Sequence, residues 1–73
     1  MEKNLKGKVK WFDLTKGYGF IHLINTDADY FVHKKDVIDL DLIKDEIVTF
    51  DEREGQKGIV AGNVRRYSYV AES

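Results

Sequence analysis

The chain has 73 residues, with 12 Lys and Arg against 13 Asp and Glu, two His, no Cys, no Pro and a formal net charge of −1. That length admits one small domain, which buries only about 60% of its unfolded-chain surface and leaves little room for a deep, walled active site. Without Cys there is no disulfide framework or thiolate metal site, no apolar run nears the roughly 20 residues of a membrane span, and the charged N-terminus lacks a signal-peptide core, so a cytoplasmic domain is expected.

Short runs rich in Val, Ile, Phe, Tyr and Thr recur along the chain, separated by Gly, Asn and Asp clusters, which is the pattern of strands joined by turns. Strand one is predicted over 6–13 (KGKVKWFD), with Lys6, Lys8 and Lys10 on one face, Val9 on the other, and a bulge where Trp11 and Phe12 end it. Strand two, 18–24, alternates Tyr18, Phe20 and His22 against Gly19, Ile21 and Leu23. Strand three, 29–33, sets Phe31 and His33 against Tyr30 and Val32. The segment 34–45 is too irregular for a long helix and is expected to begin with a short helical turn. Strands four and five are predicted over 46–53 and 59–69. Five short strands cannot form two packed sheets, and they fit an all-β fold, a small five-stranded antiparallel Greek-key barrel of the OB type. The domain is expected to span 1–73, with its core over about 5–66 and 67–73 as a tail or an extension of strand five.

The net charge hides an asymmetry. Residues 1–35 hold seven Lys and four acids, a balance of +3, whereas 36–73 hold five bases and nine acids, a balance of −4. Six of the nine aromatic residues also lie between positions 11 and 31. Both faces of strands two and three are apolar enough to be buried, so the alternation alone does not say which faces in. Aliphatic residues pack a small barrel interior well, and an aromatic face suits the outside if a planar ligand covers rings that otherwise invite aggregation. Unpaired bases are such a ligand: each base stacked on a ring contributes about 1–3 kcal/mol by alanine substitution, and nearby Lys meet the phosphates.

Lys10-Trp11-Phe12 followed by Lys16-Gly17-Tyr18-Gly19-Phe20-Ile21 resembles the first RNA-binding motif of the cold-shock domain, and Tyr30-Phe31-Val32-His33 resembles its second. Gly55-x-Lys57-Gly58 and Ala61-Gly62-Asn63-Val64 are similar to the closing hairpin and last strand, so the resemblance runs from about Leu5 to Val64. It implies an OB barrel that binds single-stranded RNA or DNA and melts weak RNA structure, acting as an RNA chaperone or cold-shock-type regulator. Carried over by position, the implied contacts are Lys8, Lys10, Trp11, Lys16, Tyr18, Phe20, Phe31, His33 and Lys57. Lys34 joins them as a phosphate partner, standing where an aromatic is common.

The chain departs from the family pattern in other places. Asp13 replaces the usual Asn and puts a negative charge at the platform edge, and Ile59 replaces a usual Pro. The connection after strand three is about three residues short and lacks the aromatic that often extends the platform, so a shorter footprint or weaker binding is expected. Arg65-Arg66-Tyr67-Ser68-Tyr69 has no counterpart in the pattern. His22, Lys3, Lys6 and Lys35 are read as solvated rather than as contacts. The acids at 36, 39, 41, 45 and 46 do not match a calcium loop and are read as a solvated face. Catalysis is not expected: both Ser lie in the tail at 68 and 73, there is no phosphate loop, and His22 and His33 lack a third metal ligand. No cofactor is expected. A monomer is the expected state, with a strand-swapped dimer as the alternative. The competing function is a protein-interaction or ribosome-associated module that uses the same aromatic strip.

Overall fold

The computed structural model describes residues 4–38, 42–56 and 58–67. Five antiparallel strands form one sheet in the order β3-β2-β1-β4-β5: β1 is Leu5–Asp13, β2 Tyr18–Leu23, β3 Asp29–His33, β4 Ile47–Gly55 and β5 Gly58–Arg66. The sheet coils until β3 faces β5, and a parallel bridge between Val37 and Val64 ties the two ends together. The helical turn expected at Lys34 is present as a single 3-10 turn, Lys34–Asp36, capped by His33. Strand five ends at Arg66, three residues before the expected limit, and residues 68–73 lie outside the described set.

Burial decides between the two faces of β2 and β3: the aliphatic one points inward. Val9, Ile21, Val32, Leu42, Val48, Phe50, Ala61 and Val64 form the buried core. Phe12, Leu23 and Tyr30 pack against it from the rim. Tyr30 is the one aromatic on the inward face of β3; its ring lies 5.0 Å from that of Phe50 and its hydroxyl donates to Glu52 at 2.6 Å.

Two bulges shape the barrel. In β1 the register against β2 slips between Val9 and Trp11, so Lys10 is the extra residue. Even-numbered positions face out before it and odd-numbered ones after it, which leaves Lys10 and Trp11 both exposed. In β5 the register against β4 slips opposite Phe50, where Asn63 adopts φ 49° and donates through Nδ2 to Asp51 at 3.0 Å. Asn tolerates this left-handed backbone better than most residues.

Candidate nucleic-acid interface

Register alone assembles the outer face. On β2 and β3, Tyr18 stands opposite His33, Phe20 opposite Phe31 and His22 opposite Asp29. On β1, Trp11 stands opposite Phe20 and Lys8 opposite His22. Trp11, Tyr18, Phe20 and Phe31 therefore meet as a closed four-ring patch. Centroids are 5.8 Å apart for Trp11–Tyr18, 5.4 Å for Trp11–Phe20, 5.6 Å for Tyr18–Phe31 and 5.7 Å for Phe20–Phe31. These separations and tilts lie in the favourable range for ring pairs, so the patch is held in shape before any ligand arrives. Trp11 is 41% exposed and the other three are partly exposed.

Gly19 makes the patch possible. A Cβ there would collide with the Trp11 carbonyl oxygen and come within 2.7 Å of the Phe12 Cα. Glycine thus lets β2 press against the bulged stretch of β1 and bring Trp11 over Phe20.

The turn before β2 is built by Asp13. Its carboxylate Oδ1 accepts from the backbone N–H groups of Thr15 at 2.9 Å and Lys16 at 3.0 Å, and its carbonyl accepts from Gly17 at 2.7 Å. Asp13 is therefore a turn residue as well as a charge at the platform edge. The turn exposes Lys16, and Gly17, at φ 78°, lies against the aliphatic stem of Lys34. The His33 Nδ1 accepts from the Lys35 N–H at 3.1 Å, which puts the proton of the neutral ring on Nε2 and leaves that nitrogen as a donor.

The structure thus brings Lys10, Trp11, Tyr18, Phe20, Phe31 and His33 onto one surface, with Lys8 in the adjacent row and Lys16 and Lys34 at its edge. Lys57 lies outside the described residues. From Phe31 and His33 an open cleft leads past Asp36 and Arg53, which pair at 2.8 Å, to the exposed Ile59 on β5.

Two acids read as solvated are instead covered in ion pairs, Asp36 with Arg53 and Glu46 with Arg66, and three residues of the outer face also depart from the sequence reading. Asp29, which was not a candidate, sits on the outer face, where its carboxylate takes Lys10 Nζ at 2.8 Å and His22 Nδ1 at 2.8 Å. The hydrogen bond from Lys10, then that from His22, holds the Asp29 carboxyl below the usual carboxylate range. His22 is thus partnered rather than merely solvated, because its register mate is an acid. The parity of 29, 31 and 33 was the available signal for Asp29. Lys6 is not simply solvated either: its ammonium lies 4.6 Å from the ring centroid of Tyr67.

Comparison with known proteins gives the same outline. Residues 5–67 match the family model described as the 'Cold-shock' DNA-binding domain. The chain is 47% identical over 66 residues to a cold shock-like protein of Aquifex aeolicus, covering 85% of this chain and 93% of the relative. It is 40% identical over 63 residues to the major cold shock protein of Micrococcus luteus, covering 82% and 94%. It is 43% identical over 65 residues to Y-box-binding protein 1 of Xenopus laevis, covering 80% of this chain and 22% of that longer protein.

Proposed function

The chain belongs to the cold-shock domain family, and from that premise we propose that it binds single-stranded nucleic acid, RNA and also DNA, by stacking unpaired bases on Trp11, Tyr18, Phe20 and Phe31. The observation that carries this reading is the closed four-ring patch, partly exposed and ordered by mutual ring contacts. Lys8, Lys16 and Lys34 meet phosphates around its edge, and Lys10 joins them by exchanging Asp29 for a phosphate oxygen. His33 Nε2 donates to a base or a phosphate. Stacking tolerates any base, so little sequence is read. The protein works by binding rather than catalysis, holding transcripts unpaired as an RNA chaperone in cold-shock-type regulation. It acts in the cytoplasm as a monomer, and a constant mass in light scattering over a wide concentration range checks that state.

Trp11 is the one Trp of the chain and sits in the patch, so its fluorescence reports occupancy directly. Titration with an oligopyrimidine at low salt is expected to quench it saturably. Absence of quenching in both RNA and DNA titrations overturns the reading and leaves the aromatic strip to a protein partner.

A further inference from the structure

The resemblance gives no role to the basic and aromatic end of the chain, Arg65 to Tyr67. In the structure this end is part of the sheet. The Tyr67 N–H donates to the Ile47 carbonyl at 3.0 Å, so Tyr67 continues the β4–β5 ladder beyond Arg66. Ile47 stands opposite Lys8, Lys8 opposite His22, and His22 opposite Asp29. One row of residues therefore crosses all five strands: Asp29, His22, Lys8, Ile47 and Tyr67. The adjacent row holds Lys6, Thr49 and Arg65. With strands about 4.8 Å apart, Tyr67 lies roughly 14 Å along the sheet from His22.

Three features of these rows point to a ligand. Lys6, Lys8 and Arg65 are exposed cations whose neighbours in the two rows are the uncharged Thr49 and Ile47, apart from His22. Among the described residues neither Lys8 nor Arg65 forms an ion pair. The nearby acids are engaged elsewhere, Glu46 with Arg66 and Asp51 with the Asn4 N–H and the Asn63 amide. Tyr67 is 39% exposed and is steadied by the Lys6 ammonium above its ring. Lys8 joins this patch to the four-ring platform without a break.

We propose that Lys6, Lys8, Arg65 and Tyr67 form a second contact site for the same nucleic-acid strand, reached when the strand passes from the four-ring patch over Lys8. Arg65 and Lys6 take phosphates and Tyr67 stacks one further base. The site rests on the single-strand binding proposed above. It lengthens the footprint across β1 toward β5.

The test compares an oligouridylate of about four nucleotides with one of about ten, both within the range of footprints on OB barrels. Each is titrated against the wild type, Tyr67→Ala and Arg65→Gln by Trp11 quenching, with thermal unfolding to verify folding. For the longer oligomer, Tyr67→Ala is expected to weaken binding about fivefold or more. Arg65→Gln is expected to reduce the slope of log K against log salt by about 0.7. Both variants are expected to leave the shorter oligomer unchanged. If both folded variants bind the longer oligomer with wild-type affinity and salt slope, the second site is wrong while the platform stands. If neither oligomer quenches the wild type, the proposed function falls, and this site with it.

Discussion

At the scale of single residues, the two faces of β2 give opposite expectations from adjacent positions. Phe20 stands in the ring patch between Trp11 and Phe31, whereas Ile21 is fully buried in the core. Phe20→Ala is expected to lose about 1–3 kcal/mol of oligonucleotide affinity with a modest loss of stability. Ile21→Ala is expected to cost about 2–5 kcal/mol of stability in urea unfolding. Severe unfolding of Phe20→Ala would mean that the faces are reversed. Asp29 gives a prediction in pH. Lys10 and His22 hold its folded-state pKa below the unfolded value. Its contribution to stability is therefore complete above the unfolded pKa, about 4, and is lost as pH falls through the lower folded value. Asp29→Asn lacks this contribution at every pH, so its urea midpoint is expected to fall less steeply than that of the wild type below about pH 4. Identical acid profiles would show that the Lys10–Asp29–His22 cluster does not stabilise the fold.

At the scale of elements, most of the strand pattern was legible because each strand has one aliphatic and one aromatic or charged face, and period two separates them. The bulge in β1 was legible where Trp11 and Phe12 interrupt the alternation at the strand end, but its location at Lys10 required the register against β2. The limits of β5 were harder to read. The Arg-Arg-Tyr-Ser-Tyr run has strand-like composition past the point where Arg66 is the last residue paired with β4 in the strand. Asp29 carries no signal beyond its parity with Phe31 and His33 in strand three, and only the pairing with β2 puts it beside His22. The role of Gly19 also belongs to this scale. Any side chain there meets the backbone of β1 as well as the Phe12 ring, and the backbone has little room to give. Gly19→Ala is expected to destabilise by about 1–3 kcal/mol or more in urea unfolding, and to weaken oligonucleotide binding in the fraction that still folds. Wild-type stability and affinity in this variant would show that the close approach of β2 to β1 is dispensable.

At the scale of the whole molecule, the charge sum of −1 is a poor guide and its distribution a good one. The residues that build the platform lie in the half with a balance of +3, and the acids collect in the other half. A small net charge gives weak long-range attraction, so affinity rests on stacking and on a few local cations. Phosphate contacts from about four to six Lys give an expected slope of log K against log salt between about −3 and −4. A slope near zero would show that the Lys residues around the rings do not meet phosphates. The barrel has one more feature with consequences at this scale. Its five strands share four hydrogen-bonded ladders, and the circle is completed where Val37 bridges Val64 and the Ile38 N–H reaches the Val64 carbonyl. Among the described residues this closure is slighter than the continuous ladders, so it is expected to open at a lower free-energy cost. The cleft that runs from Phe31 and His33 to Ile59 and Val60 spans the two strands, β3 and β5, that this seam brings together. A strand of nucleic acid stacked on Phe31 and continuing along that cleft would hold β3 to β5, so the cargo would double as a clasp for the barrel that carries it.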